Sequence, residues 1–193
     1  QCYSLPQNGG YRGFHCEGGG FGVIFTLLCW NVLWLDIKGA FVAPYQSAPL
    51  DLGTPAFYTN RKKQIDQLID ELKKETFEGL RARIISIWSI AHDTQCRVGW
   101  DRWECEDIAN ITACLGGQGC AAVVDALSKT KHRRSGLPDL LLWNTERRTL
   151  KLSEVKGPND RLSDKQIAWL ETMMAAGVDC EVCLVRVKRK NQS

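Results

Sequence analysis

Three charged residues in the C-terminal half of the chain stand where buried strands would carry none. Asp139 precedes the apolar run Leu140–Trp143, and Glu154 and Lys156 lie at the end of a second run, Leu150–Val155. Both runs have the length and composition of strands, and the polar stretch between them predicts a turn. An antiparallel hairpin would bring Asp139 beside Glu154. Because side chains alternate along a strand, Lys156 would share the face of Glu154.

Two carboxylates and a lysine at one end of a sheet could hydrolyse a phosphodiester. Hard divalent cations such as Mg²⁺ or Mn²⁺ prefer oxygen ligands, which Asp139, Glu154 and the backbone carbonyl of Val155 would supply. The metal would activate a bound water, and Lys156 would orient that water or stabilise charge on the phosphate. As a bare pattern the spacing is common, and a surface hairpin with a Glu/Lys pair fits it equally well.

The charge distribution bears on the choice between these two interpretations. The formal net charge is +3, from 25 basic and 22 acidic residues, so composition alone does not indicate a nucleic-acid partner. The basic run Lys129–Arg134 leads directly into the hairpin, and we expect Arg133 and Arg134 to approach a DNA backbone. This context favours the catalytic interpretation.

The rest of the chain predicts the elements that must position these residues. Residues 1–10 are predicted to be loop, residues 36–130 mostly helical, and residues 131–187 the hairpin, a helix and a strand. The apolar run Phe21–Leu35 is too short for a membrane span and predicts a buried core helix. Glu17 before it could complement the helix dipole or point inward as a third carboxylate, and its spacing does not choose between the two.

Helix boundaries can be predicted at several points along the chain. Thr59 or Asn60 is a candidate cap for a helix over about residues 61–75. Further helices are predicted over residues 77–91, up to Gly116, and over residues 118–130. Ser163 and Gln166 form a capping-box pattern. The apolar face of the helix that follows them is predicted to comprise Ile167, Leu170, Met173 and Met174, and a strand is predicted over residues 180–187.

The nine cysteines predict free thiols. Their number is odd and their spacing irregular, which disfavours a disulfide scaffold and favours a reducing compartment. Cys180 and Cys183 form a C-x-x-C pattern without the second ligand pair of a zinc site, and on a strand they would face opposite sides. The chain starts at Gln1 without an initiator Met or a visible secretory signal. We therefore expect it to be the C-terminal part of a longer protein.

The charged hairpin resembles the PD-(D/E)xK nuclease superfamily. More specifically, the segments around Ser135–Leu140 and Glu154–Gln166 resemble the VRR-nuclease domain of the Fanconi-associated nuclease family. Four shorter motifs upstream resemble the same family and occur in the same order. They are His15-x-Glu17-Gly18, Pro49–Leu52, Trp100–Arg102 and Cys114–Gly117. The resemblance implies one α/β domain over residues 1–193, with a restriction-endonuclease-like mixed central sheet flanked by helices and a helical insertion.

The resemblance also implies roles for individual residues. Glu17, Asp139, Glu154 and the Val155 carbonyl would be metal ligands, Lys156 the catalytic lysine, Gln166 the glutamine beside the site, and Arg161 and Lys165 contacts to the DNA backbone. The capping role of Gln166 and its family role are expected to exclude each other, because one rotamer would have to fill both.

The function implied is that of a structure-directed DNA nuclease, active with Mg²⁺ or Mn²⁺ in interstrand-crosslink repair. Members of the family cut 5′ flaps and trim 5′→3′. The expected partners are branched or flapped DNA and, through other segments, Fanconi-pathway repair proteins in the nucleus, with no membrane. Two alternatives stay open. One is a dimeric junction-resolving nuclease of the same superfamily, and the other is an inert nucleic-acid-binding module. The complete Asp139/Glu154/Lys156 set disfavours the inert module.

Overall fold

The computed structural model describes residues 2–5, 10–15, 19–129 and 135–186, with only the backbone of residues 2–5. Within these ranges the chain forms five strands and seven helices. The strands are β1 (Cys2–Leu5), β2 (Tyr11–His15), β3 (Leu140–Asn144), β4 (Thr149–Lys156) and β5 (Asp179–Leu184). The helices are α1 (Gly20–Leu28), α2 (Trp30–Leu33), α3 (Pro55–Asn60), α4 (Lys62–Leu72), α5 (Phe77–Ala91), α6 (Cys105–Lys129) and α7 (Asp164–Ala175).

The strands form one mixed sheet in the order β1-β2-β3-β4-β5. Neighbouring strands are antiparallel except β4 and β5, which are parallel and are joined through α7. This arrangement confirms the α/β class and the mixed central sheet with flanking helices. The loop predicted over residues 1–10 is wrong at Cys2–Leu5, because pairing with β2 supplies backbone hydrogen bonds that the Gly- and Pro-rich composition does not reveal.

The predicted hairpin is confirmed by the pairing of β3 with β4. Leu141 and Trp143 of β3 and Leu150 and Leu152 of β4 are buried, which fixes the register because a slip by one residue would turn this set to the opposite face. Leu140 pairs with Ser153 at the end of the ladder. The polar residues that precede β3 and end β4 therefore meet at that end.

The helical layer follows the predicted pattern, with one correction at a helix start. α4 buries its stripe of Ile65, Leu68, Ile69 and Leu72, and α5 has the predicted bounds. Thr59 and Asn60 do not cap α4, because Pro55 begins a separate short helix that contains them. Arg61 links the two helices.

Arg61 turns inward and is completely buried. Its guanidinium donates to Asp51 at 2.7 Å and to the carbonyl of Val32 at 3.1 Å, and it lies over the ring of Phe57. Because a buried guanidinium needs acceptors on several sides, this contact ties the loop before α3 to α2 and α4. We call Arg61 and Asp51 the insertion clamp.

α6 runs through the core and bends at Gly116, whose φ is 73°. The break confirms the two helices predicted on either side of Gly116. α6 has the length and apolar composition of a membrane span, but 72% of its most apolar window is buried inside the protein, as in a core helix. The predicted core helix at Phe21–Leu35 is also buried, but it divides at Cys29 into α1 and α2.

α7 and β5 complete the sheet side of the fold. Ser163 caps α7, and Gly177, with φ 82°, ends its C-terminal turn. The predicted apolar face of α7 is wrong at Ile167 and Met174, which are exposed, because Trp169 occupies the core instead and packs against Phe21. The seven cysteines described are free, as predicted, with Cys180 and Cys183 both on β5.

Candidate active site

The end of the β3–β4 ladder places Asp139 beside Glu154. Asp139 precedes the last paired residue of β3, and its Oδ2 accepts the backbone N–H of Val155 at 2.8 Å. β3 supplies no carbonyl opposite Val155, so the Asp139 carboxylate accepts this N–H in place of a backbone carbonyl. Since the N–H and C=O of a strand residue point toward the same neighbour, the Val155 carbonyl also faces this end of the sheet.

Glu154 is the buried centre of the group, with 1% of its surface exposed. Its Oε1 accepts from Lys156 Nζ at 2.8 Å and from Gln166 Nε2. Its Oε2 is buried and has no hydrogen-bond partner among the residues that the structure describes. A buried carboxylate oxygen without a partner is costly, and a bound cation would satisfy it.

Lys156 is predominantly cationic at neutral pH. The hydrogen bond from its ammonium to Glu154, together with the charges of Glu154 and Asp139, raises its pKa above the usual value, whereas desolvation opposes the shift. Its side chain is 12% exposed, so it lies between the buried carboxylate and solvent. A raised pKa makes Lys156 a donor that orients a nucleophile or stabilises anionic charge, rather than a general base.

Gln166 joins the N-terminus of α7 to the carboxylate. Its Oε1 accepts from the backbone N–H of Ser163 at 2.9 Å and from Lys156 Nζ at 3.2 Å, while its Nε2 donates to Glu154. The expectation that capping and site contact exclude each other is therefore wrong. An amide has separate acceptor and donor ends, so one rotamer completes the capping box with its oxygen and holds Glu154 with its nitrogen.

Gly136 sets how closely α7 approaches the hairpin, and this role was not recognised in the sequence. Its φ is 82°, and a Cβ at this position would lie 2.6 Å from Lys165 Cβ and 2.9 Å from its carbonyl carbon. Only glycine combines this backbone conformation with this contact. A Gly three residues before Asp139 was the available signal, because glycine marks close backbone approaches.

The other predicted site residues divide into two groups. Arg161 and Lys165 are exposed on the loop before α7 and in its first turn, on either side of Ser163 and close to Gln166. Glu17, Arg133 and Arg134 lie outside the described residues. The roles of all these residues as metal or DNA contacts stay predictions.

The described donors fit a hard divalent cation in chemistry and charge. Asp139 and Glu154 carry two negative charges against the single positive charge of Lys156. Glu154 Oε2 and the Val155 carbonyl add oxygen ligands of the kind that Mg²⁺ and Mn²⁺ prefer. The described ranges contain no cluster of three or more His, Cys, Asp or Glu residues suited to a metal, so a third carboxylate would have to come from outside them.

Sequence comparisons agree with the geometry of the site. The family model described as the VRR-NUC domain matches residues 75–187. Fanconi-associated nuclease 1 of Danio rerio is 40% identical over 90% of this chain and 18% of its own length. The Homo sapiens protein is 37% identical over 97% of this chain and 19% of its length. The predicted resemblance is confirmed, and the chain spans about a fifth of the length of these curated relatives.

The fold comparison gives the same result. A crystal structure of paFAN1 bound to 2nt 5′flap DNA with gap superimposes with a TM-score of 0.81 at 29% identity, covering 94% of this chain and 33% of that one. A second paFAN1 structure, bound to 1nt 5′flap DNA with gap, covers 96% of this chain and 34% of that one at the same TM-score.

Proposed function

Because the chain belongs to the VRR-NUC domain family, we propose that it is a metal-dependent, structure-directed DNA nuclease that hydrolyses phosphodiester bonds. The observation that carries the proposal is that Glu154 is buried beside Asp139 and Lys156, with an Oε2 that has no hydrogen-bond partner in the described part of the chain. An inert binding module has no need to maintain such a costly arrangement of charges.

The proposed metal is Mg²⁺ or Mn²⁺, held by Asp139, Glu154 and the Val155 carbonyl, with Glu17 as a further ligand from outside the described residues. When bound, the metal supplies Lewis-acid stabilisation of the phosphate and lowers the pKa of a coordinated water. The rest of the work falls to the chain itself. Gln166 fixes the Glu154 carboxylate in one orientation and positions Lys156 through its oxygen.

Lys156 has the geometry and charge of an electrostatic catalyst. Its ammonium is held at the edge of the buried group, where it can donate to an attacking water or to a phosphate oxygen. The raised pKa keeps this donor charged up to alkaline pH. Arg161 and Lys165, exposed beside the N-terminus of α7, would pair with flanking phosphates, with Arg133 and Arg134 contributing from outside the described residues.

The proposed substrates are 5′-flapped and branched DNA, cut endonucleolytically and trimmed 5′→3′. The flap-bound paFAN1 structures support this substrate class, and the relatives named Fanconi-associated nuclease support a role in interstrand-crosslink repair. Nuclear localisation and Fanconi-pathway protein partners belong to the same proposal. A junction-resolving nuclease would instead act as a symmetric dimer, so sizing the protein alone and on four-way junctions discriminates between the two functions.

The test is cleavage of an end-labelled 5′-flap duplex with Mn²⁺ by the wild type, Asp139→Ala and Lys156→Ala. We expect each variant to lose roughly 100-fold or more in rate, the magnitude typical for removing one electrostatic catalytic group. DNA binding should persist, because phosphate contacts dominate affinity. Arg147→Ala, an exposed arginine in the β3–β4 turn at the opposite end of the hairpin, is the control. Catalytic-residue variants as active as the control would contradict the site.

A further inference from the structure

A cleft of about 390 Å³ opens beside the catalytic hairpin and takes no part in the arrangement described above. It lies between the end of β2, the first turns of α1 and the loop before α6. We call it the arginine cleft and define it by Phe14, His15, Gly22, Arg97, Arg102 and Trp103.

The cleft and the carboxylates share one end of the sheet. His15, on its rim, pairs in register with Leu140, the residue that follows Asp139. Leu137, two residues before Asp139, also lines the cleft. A molecule in the cleft would therefore lie at the same end of the sheet as Asp139 and Glu154.

The cleft combines an apolar wall with two arginines that form no ion pair with any acidic residue that the structure describes. Phe14 packs against Trp103 with ring centroids 4.4 Å apart, and together they form the apolar wall. Arg97 and Arg102 are exposed, and their guanidinium groups make neither a hydrogen bond nor an ion pair within the described parts of the chain. Several other arginines, among them Arg61, Arg81 and Arg148, have a carboxylate partner.

Gly22 keeps the cleft open from the α1 side. It lies inside a helix, where glycine costs about 0.5–1 kcal/mol relative to alanine. A Cβ at this position would meet no atom within 4 Å, so the packing of the described residues does not require glycine. A side chain there would project into the cleft instead. Glycine at this position therefore leaves the α1 side of the cleft open.

We propose that the arginine cleft receives one unpaired nucleotide of the strand that is cut, next to the scissile phosphate. The base would lie against the Phe14–Trp103 wall, and its phosphate would pair with Arg97 and Arg102. Aromatic surfaces accept any base by stacking, and guanidinium groups match phosphate oxygens bidentately. The volume falls within the range of small-ligand pockets. The proposal rests on the nuclease function and gives its site a specificity for unpaired nucleotides.

The experiment compares Gly22→Leu and the double variant Arg97→Ala/Arg102→Ala with the wild type on a 5′-flap duplex. The nucleotide flanking the cut is either intact or abasic. We expect the wild type to prefer the intact substrate roughly tenfold in kcat/KM, the scale of one stacked base. Gly22→Leu, which fills the cleft, should abolish that preference. The double variant should lower cleavage of both substrates, because it removes phosphate contacts.

A metal-free binding measurement separates this proposal from the nuclease function. With EDTA present, 2-aminopurine at the flanking position should change fluorescence on binding to the wild type but not to Gly22→Leu. A wild type that binds with this signal and cleaves nothing with Mn²⁺ would contradict the nuclease function while supporting the cleft. A wild type that cleaves DNA with equal rates for intact and abasic substrates, and shows no fluorescence change, would overturn the cleft.

Two controls exclude trivial causes. Arg147→Ala removes one positive charge at the far end of the hairpin, against two in the cleft double variant, and should leave both measurements unchanged. Gly22→Ala adds one methyl group and should produce a smaller loss of base preference than Gly22→Leu.

If Gly22→Leu fails to fold, the proposal is tested by the affinity of the exposed Arg97→Ala/Arg102→Ala double variant for flap DNA. An affinity for flap DNA equal to that of Arg147→Ala would then contradict the proposal.

Discussion

The molecule buries charge in two places, and the two arrangements differ in what they leave unsatisfied. In the insertion clamp, one buried guanidinium donates to a single carboxylate and to backbone carbonyls, so the charges cancel. In the hairpin site, two carboxylates face one ammonium, and the acceptors exceed the available donors. Exposure does not separate the two groups, because Asp51 in the clamp is 13% exposed and Lys156 in the site is 12% exposed.

The comparison shows that burial of charge alone does not identify an active site. Among the described residues, both groups contain buried polar atoms without a hydrogen-bond partner, namely Arg61 Nη2 and Asp51 Oδ1 in the clamp and Glu154 Oε2 in the site. Of the two groups, only the site carries an excess of negative charge, with two carboxylates and one ammonium at the end of a strand ladder. Net charge, rather than burial, therefore distinguishes the candidate catalytic group from the clamp.

Breaking the clamp should produce the largest loss of stability. Asp51→Ala leaves the Arg61 guanidinium buried without its carboxylate and removes the partner of the Asn60 side-chain amide. We expect the free energy of unfolding to fall by about 3–5 kcal/mol, the cost of breaking a buried ion pair. Urea denaturation followed by far-UV circular dichroism measures the change.

The matched comparison is Asp139→Ala in the site, where the carboxylate is half-buried and accepts one backbone N–H. Its loss should cost only about 1 kcal/mol. A double variant, Asp51→Leu/Arg61→Met, should regain much of the stability lost in Asp51→Ala, because it replaces the pair with apolar groups. Equal losses in Asp51→Ala and Asp139→Ala would contradict the distinction between clamp and site.

A smaller effect is expected where α7 meets the hairpin. Gly136→Ala combines a positive φ with a contact to the backbone of Lys165 and should cost about 1–3 kcal/mol. Because the clash pushes α7 away from the hairpin, Gln166 should also lose its contact with Glu154, and cleavage should fall. Gly177→Ala has the same φ of 82° without any atom in reach of the new Cβ. It should show the stability cost of the backbone alone and leave cleavage intact.

The sequence predicts the hairpin well because its information is local. The alternation of apolar residues sets the register, and the register places Asp139 beside Glu154 without further knowledge. The strand at Cys2–Leu5 could not be predicted in this way. It pairs with β2 over only four residues, and β2 was itself not predicted as a strand.

The clamp and the cleft escaped prediction for a related reason. The sequence predicts Arg61 only as the first residue of a helix, and the fold shows that a break between two helices turns it inward onto Asp51. The arginine cleft brings together residues from β2, α1 and the loop before α6. Phe14 and Trp103, for example, are more than 80 positions apart in the sequence. Contacts of this kind follow from tertiary packing, which composition and periodicity do not encode.

The smallest expected effect tests the double role of Gln166. Ser163→Ala removes the hydroxyl that accepts the Gln166 backbone N–H, and loss of an N-cap costs about 1 kcal/mol. Thr76→Ala removes the equivalent cap of α5, where Thr76 accepts from Gly79 at 3.0 Å, and should cost a similar amount. If capping also holds Gln166 against Glu154, then Ser163→Ala lowers the cleavage rate while Thr76→Ala does not. Ser163→Thr, which retains a capping hydroxyl, should restore the rate. Equal rates for Ser163→Ala and Thr76→Ala would mean that the Gln166 amide holds Glu154 without help from the Ser163 cap. The coupling between fold and site would then lie in Gly136 alone.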